Sequence, residues 1–579
     1  MHRFEVWAPL AKSVAVQVAN TTYPLEKTAR GYWAAEVEQA QPGMDYGYIL
    51  DGEEPAIPDP RSQWQPNGVD GLSRIVDHDS FEWHDQAWQA PSFAEAVVYE
   101  LHLGTFTPEG TLDSAITKLD YLKDLGITHV EVLPLASAPG DRGWGYDGVA
   151  LFAPQESYGG PDAVKRFVDA AHSKGLAVIN DVVYNHFGPT GNYTGKYGPY
   201  ITESHKTPWG GAVNLEEEGS SEVRRFFCDN ALMWLRDYHF DGLRLDAVTA
   251  YIDRSSIHLL EQLAEETKAL GAELGKQFFL VAESDLGDPR VVRAMEEGGY
   301  GLEAQWSDDF HHALWTVLTG DQKGYYADFG TIEQLATALK QVFVYSGQYS
   351  NYRQRNHGRP VHNIPGYRFL GYIQNHDQVG NRAIGDRLSD LVSPGKVKIG
   401  AALVLLAPFV PMVFQGEEFA ASTPFQYFTD HHDAELGKSV SEGRKQEFAG
   451  FGWAPEDIPD PQSPESFMRS KLKWQETNEA GHAEILDWYK KLIALRKSSP
   501  ALLDGDMHAT HVEFDEDAKW LVLKRGPFYV ICNFAKTAVG IHLPSGGRVL
   551  LASDSSSTLK DKQAQLDPES VIVVDSSKA

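Results

Sequence analysis

The sequence predicts an α/β protein, a TIM (β/α)8 barrel flanked by an N-terminal β-sandwich and a C-terminal all-β domain. Three observations predict it. Between about 91 and 500, eight apolar runs of strand length are mostly separated by segments long enough for helices. Residues 1–90 and 501–579 instead carry short alternating runs broken by turn signals. No GxGxxG follows any strand, so nothing supports an open doubly wound sheet over the closed barrel.

The elements follow in order. FEVWAP, SVAVQV, YWAAEVE and YGYIL alternate as sandwich strands do. EEPAIPDPRSQWQPNG then reads as a linker or a docking loop. The barrel strands are VVYELHL (97–103), THVEVLP (128–134), LAVINDVV (176–183), FDGLRLDAV (240–248), FFLVAES (278–284), LEAQWS (302–307), RFLGYIQNHD (368–377) and PMVFQGEE (411–418). Helices are expected near 112–125, 161–174 and 220–238. In the last, Ser220 or Ser221 is positioned to cap, and Val223, Phe226, Phe227, Asn230 and Trp234 share a face. KWLVLKR, FYVICNF, VGIHL, GRVLLAS and SVIVVD make the C-terminal β region.

Composition narrows the function. The 579 residues carry 51 basic and 81 acidic side chains, a net charge of −30, with no basic patch. Such a field repels phosphate backbones and anionic membranes, so neither nucleic acid nor membrane is an expected partner. Cys228 and Cys532 are the only cysteines, which excludes a disulfide framework and a zinc knuckle. The N-terminus has no long apolar core of a signal peptide and no 18-residue apolar run occurs, so a cytoplasmic protein is expected.

A barrel of this kind works at the C-terminal ends of its strands. Strand three ends in DVVYNH, placing Asp181, Asn185 and His186 at its exit. Strand four carries Arg244 and Asp246, strand five ends at Glu283, and strand seven ends in His376 and Asp377. His102 lies on strand one, with Tyr146 and Asp147 after strand two. One such carboxylate is commonly a helix cap, and Arg244 with Asp246 is commonly a structural ion pair. Three carboxylates and two histidines converging on one mouth are different, because unpaired charges are costly to desolvate. No P-loop, nucleophile elbow or zinc ligand set is present. Paired carboxylates in an aromatic cleft point to glycoside hydrolysis or transfer. Strands four and five are adjacent and can hold the pair at about 5–5.5 Å, the spacing of double displacement. Arg244 would keep Asp246 ionised as the nucleophile. The apolar run before Glu283 would raise its pKa toward that of an acid catalyst.

DVVYNH, GLRLDAV, AES and QNHD, in this order and spacing, resemble the four signature regions of the α-amylase superfamily of glycoside hydrolases. The resemblance implies Asp246 as nucleophile, Glu283 as general acid/base and Asp377 as the carboxylate that grips the sugar in the −1 subsite. It also implies Arg244 orienting the nucleophile, His186 and His376 bonding sugar hydroxyls, Tyr146 as stacking platform, and His102 and Asp181 lining or bracing the pocket.

RGWGYDGVALFAPQESYGGPDA, DVVYNHFGPTGNY, TPWGGAVN, HDQVGNRAIGDR, FQGEEF and FQYFTDH are similar to one branch of that superfamily, the maltooligosyltrehalose trehalohydrolases. This implies a retaining hydrolase acting on maltooligosyltrehalose and maltooligosaccharides. Some relatives in the superfamily bind calcium near the position of Asn185, but no Asp-rich calcium loop accompanies it here, so no required metal and no cofactor are expected. It also implies functional coupling to a maltooligosyltrehalose-forming synthase. The run AESDLGDPR departs from the branch at Ser284, which leaves the contacts of Asp285 and Asp288 open. Candidates for reading the trehalose unit are Asp285, Gln378, Arg382, Gln415, Glu417, Tyr427 and Phe428. Arg382 and Arg387 serve equally well as structural ion pairs. Loop 187–219, with Tyr193, Tyr197, Tyr200 and Trp209, either stacks on glucose rings or packs over the mouth. Trp7, Trp33 and Trp64 either bind glucan or pack against the barrel. A branching or debranching enzyme shares the trio; an inactive glucan-binding relative would lack one of the three carboxylates.

Overall fold

Eight parallel strands close on themselves in sequence order. They are β1 (Val98–Leu101), β2 (His129–Val132), β3 (Ala177–Val182), β4 (Gly242–Leu245), β5 (Phe279–Ala282), β6 (Ala304–Trp306), β7 (Phe369–Gly371) and β8 (Val410–Phe414). Closure is made by β8 against β1, with Met412 opposite Val98 and Phe414 opposite Glu100. All eight are the runs expected from the sequence. This computed structural model describes residues 1–449 and 453–578.

The barrel strands are buried on both faces, as parallel strands between a filled interior and an outer helical layer must be. Gly242 opens β4 because β5 lies against it: a Cβ there would sit 2.2 Å from the Phe279 ring. That approach sets the β4–β5 register, Arg244 beside Val281 and Leu245 beside Ala282. The next residues to emerge are Asp246 and Glu283.

The helices follow the expected positions, with local differences. The segment near 112–125 is two helices, Leu112–Ile116 and Leu119–Leu125, the first closed by a Thr111/Ser114 capping box. Helix Ser220–Arg236 buries Val223, Phe226, Phe227, Asn230 and Trp234, as read from the sequence. Neither serine caps it. Gly219 precedes it at φ 83°, packed against Pro199 and the Trp7 ring, and no side-chain cap forms.

The N-terminal region has two antiparallel sheets. One joins His2–Trp7, Tyr32–Val37 and Glu26–Lys27; the other includes Val14–Val18 and Asp45–Leu50. Trp7 and Trp33 are buried and donate their indole N–H to the Arg30 and Ala8 carbonyls, so packing occupies them. The Pro-rich segment docks. Arg61 donates to Asp229 at 2.7 Å and Trp64 to Glu156 at 2.6 Å. Further on, Asp85 and Asp241 hold the two ring nitrogens of buried His172 at 2.8 and 3.0 Å, under the Trp88 ring.

Residues after 508 form five- and three-stranded antiparallel sheets. They are joined to the barrel by Arg525. With Arg496 it donates to carbonyls at the C-terminal end of helix Pro394–Leu406, groups that have no partner within the helix. Among the described residues, no helix is long and apolar enough to cross a membrane.

Candidate active site

The site is organised around one buried cation. Arg244 lies inside the barrel at 0% exposure, the Trp306 ring 4.4 Å from its guanidinium. A desolvated guanidinium demands negative partners. One terminal nitrogen donates to both oxygens of Asp181 (2.9 and 2.8 Å) and to Asp246 Oδ1 (2.7 Å). The other donates to Glu283 Oε2 (2.8 Å). The exits of β3, β4 and β5 are thereby tied to one planar group. Just past Asp246 the backbone of Ala247 turns left-handed, at φ 39° and ψ 53°. That conformation is costly for an L-residue. It aims the Ala247 N–H at Glu283 Oε2, 2.8 Å away.

Burial raises both carboxyls. For Asp246 it outweighs the pull of Arg244 and, with the charges of Asp181 and Asp377, brings the pKa to about 6. For Glu283, burial and the charges of Asp246 and Asp377 bring it to about 7. Near neutral pH such a pair offers one carboxylate and one available proton, the two species that double displacement uses.

The far wall comes from β7. His376 opens helix His376–Gly380, its ring stacked on Tyr146 with centroids 5.1 Å apart. Tyr146 donates its hydroxyl to Asp181 Oδ2 at 2.6 Å and meets His376 Nε2 at 2.8 Å. The Asp377 side chain is 37% exposed, its carboxylate 3.7 Å from His376 Nε2 and 3.2 Å from the Asn381 amide. The cleft, about 540 Å³, is lined by Tyr146, His186, Trp209, Asp246, Glu283 and Asp377 among others. His186 Nε2 meets the Tyr146 carbonyl at 3.0 Å, and burial lowers its pKa to about 4. Trp209, half-exposed at the turn of hairpin 201–213, stacks on His186 at 4.7 Å and faces the cleft. It therefore both packs and presents an aromatic edge to the opening. Tyr193, Tyr197 and Tyr200 instead pack toward the N-terminal region.

Several residues named for the site are spent elsewhere. His102 is buried, its ring nitrogens held by Thr105, Gly143 and Tyr158, so it takes the bracing role rather than lining the pocket. Gln415 is fully buried between the His102 N–H and the Thr105 hydroxyl. Glu417 turns inward to accept from Tyr489 at 2.8 Å, and burial raises its pKa to about 8. Gly416, at φ 81°, starts the 3-10 turn 417–419 that carries it away from the mouth. Asp181 lies beneath Tyr146, at 2% exposure. Arg382 pairs with Asp386 and Asp321, the structural ion pair expected of it, whereas Arg387 donates to the Thr423 and Gln415 carbonyls and is structural without the ion pair expected of it. Gln378 accepts from the hydroxyls of Tyr325 and Tyr326. Asp285 ties the loop after β5 to hairpin 346–358 through Arg353. Of the trehalose candidates, Tyr427 and Phe428 line the cleft.

Two contributors were missed. Helix Ala434–Ala449 walls the cleft with Val440, Gly443, Arg444 and Glu447. Arg444 donates to the Gly380 and Arg382 carbonyls and lies 5.1 Å from the Tyr427 ring. Glu100, on β1, reaches His376 from below. Its signal was a lone carboxylate inside an apolar strand. No metal-ligating cluster of His, Cys, Asp and Glu occurs among the described residues.

A family model described as "Alpha amylase, catalytic domain" matches residues 74–207, and "Domain of unknown function (DUF3459)" matches 508–573. The chain is 47% identical over 581 residues to a malto-oligosyltrehalose trehalohydrolase of Rhizobium sp. (strain M-11), covering 99% of this chain and 97% of that one. It is 48% identical over 557 residues to the enzyme of the same name from Arthrobacter ramosus, covering 95% of each. A solved protein from Salmonella typhimurium superposes with a TM-score of 0.90 at 36% identity, over 99% of this chain and 97% of that one. A 1,4-alpha-glucan branching enzyme of Pseudoalteromonas atlantica matches less of the chain, 32% identical over 54% of it and 49% of the relative.

Proposed function

The chain belongs to the malto-oligosyltrehalose trehalohydrolases of the α-amylase family, and we propose that it cleaves the α-1,4-glucosidic bond next to the terminal trehalose of maltooligosyltrehalose, releasing α,α-trehalose. The observation that carries the mechanism is the single guanidinium of Arg244 shared by Asp246 and Glu283.

Asp246 attacks the anomeric carbon of the sugar in the −1 subsite, and the Glu283 proton passes to the departing glycosidic oxygen. Glu283 then takes a proton from water, which displaces Asp246 and restores the starting configuration. Asp377 and His376 hold hydroxyls of the −1 sugar, Tyr146 lies beneath it, and His186 flanks it. Trehalose leaves on the Glu283 side, since that is where its oxygen is protonated. Tyr427 and Phe428 supply aromatic surface in the cleft wall. The same proposal places the protein in the cytoplasm, downstream of a synthase that forms maltooligosyltrehalose.

The test is product analysis. The protein is incubated with maltopentaosyl-trehalose and, separately, with maltohexaose and amylose. Rapid trehalose release with slow attack on the other two is the expected result. New α-1,6 branches, or cleavage without preference for the trehalose end, would reject it.

A further inference from the structure

Glu100 belongs to no role assigned above, yet both of its oxygens are committed to the active site. It sits on β1 at 0% exposure. Oε1 meets His376 Nδ1 at 2.6 Å and Oε2 accepts the His376 backbone N–H at 2.9 Å. That N–H belongs to the first turn of helix His376–Gly380 and has no acceptor within the helix. One carboxylate therefore fixes both the ring and the start of the helix that carries Asp377.

The donors and acceptors around the ring settle its protonation. Arg244 only donates, so the two Asp181 oxygens accept from it. Tyr146 has one hydroxyl proton, and it goes to Asp181 Oδ2. What Tyr146 offers His376 Nε2 at 2.8 Å is a lone pair, so Nε2 must donate. Nδ1 faces the Glu100 carboxylate and must donate too. A histidine that donates from both nitrogens is an imidazolium.

We propose that Glu100 is a positioning residue: it holds His376 as a cation, with Nε2–H directed at the Tyr146 and Asp377 oxygens where the −1 sugar is gripped. The inference rests on the functional reading above for what the cation does, but not for its existence. The balance of the other groups facing the ring agrees with it. Burial opposes the charge on His376, but the charges of Glu100 and Asp377 and the Glu100 hydrogen bond outweigh it and raise its pKa to about 9. Arg244 acts against the cation and Asp377 favours it. Glu131, beside Glu100 on β2, is pushed well above the carboxylate range by burial and by the Glu100 charge, so it adds a neutral acid. The Trp144 and Trp306 rings close the remaining sides.

The experiment uses the full chain labelled with 13C-histidine, the His376 ring signal being identified by its loss in His376→Gln. In the wild type this signal should stay that of an imidazolium from pH 6 to 8. In E100Q, which keeps the volume and removes the charge, it should become neutral within that range. The same variant should lose kcat for trehalose release by about 10²-fold, as a misplaced catalytic contact does, with KM little changed. A wild-type ring that is neutral at pH 7, or an E100Q protein with wild-type titration and kcat, overturns the proposal. If E100Q does not fold, E100D keeps the charge one methylene further away and should lower the His376 transition; an unmoved transition is equally fatal. A wild type that releases no trehalose rejects the functional reading and leaves the titration standing.

Discussion

Two carboxyls with pKa values near 6 and 7 make a narrow window. Asp246 must be ionised and Glu283 protonated, so kcat/KM should peak between about pH 6 and 7 and fall on both sides. Asp377 contributes to both values by repulsion. Removing its charge in Asp377→Asn lowers both pKa values, so the residual activity should follow a bell displaced to lower pH. A pH–rate profile of each protein measures this, and an undisplaced bell would rule out the electrostatic coupling. At this scale the catalytic-cleft residues on strand exits were legible, because an alternating strand shows which side chains emerge together. Glu100 was not, since strand alternation does not say which interior carboxylate of a barrel meets which neighbour. Gln415 and Glu417 were misread for local reasons: Gln415, directly after β8, is taken up by the His102 N–H and the Thr105 hydroxyl, and the turn after Gly416 points Glu417 inward to Tyr489.

Among the elements, the clamp beneath Trp88 has its own pH signature. Burial works against the Asp85 carboxylate, but its hydrogen bonds with His172 and His239 hold its pKa well below the usual carboxylate range. Its contribution to stability is complete above its unfolded value and is lost as pH falls through the lowered folded value. His172 is raised above 6.5, burial being outweighed by Asp241 and Asp85. Its contribution is complete below 6.5 and is lost as pH rises through the folded value. Asp85→Asn should therefore cost about 3–5 kcal/mol near pH 5.5, the usual range for breaking a buried pair, and less at pH 9. Denaturant melts at the two pH values decide; an equal cost at both would refute the linkage. The eight strands and the principal helices were readable because their apolar residues recur at the right period. Helix Ala434–Ala449 escaped because its buried residues are Gly437, Ser441, Arg444 and Phe448, which keep helical spacing without an apolar stripe.

Across the whole molecule, the N-terminal sheets act as a buttress for the mouth. The Trp7 ring packs on Tyr200 at 5.4 Å and on Gly198 and Gly219, beneath the hairpin that carries Trp209. Trp7→Ala should destabilise the protein by about 3–5 kcal/mol through the cavity it leaves. If the buttress matters to the cleft, the same change should raise KM more than it lowers kcat. Steady-state kinetics on the folded variant test this, and unaltered kinetics would confine Trp7 to stability. The three-part layout was legible from texture alone, whereas the contacts between the parts were not, because Arg61, Trp64 and Arg525 find partners far away in the chain. The way the barrel closes also has a consequence in time. Val98 waits for Met412, made more than 300 residues later. At roughly 5–20 residues per second, a ribosome needs about 15–60 s to supply the last strand. During that interval the growing sheet has two open edges and an incomplete interior in which Arg244 already seeks carboxylates. Contacts this distant slow folding and leave strand edges open to other chains. The newly made protein therefore passes through a period of vulnerability set by its topology, and the rate of its synthesis bears on its yield as directly as the stability of the finished barrel.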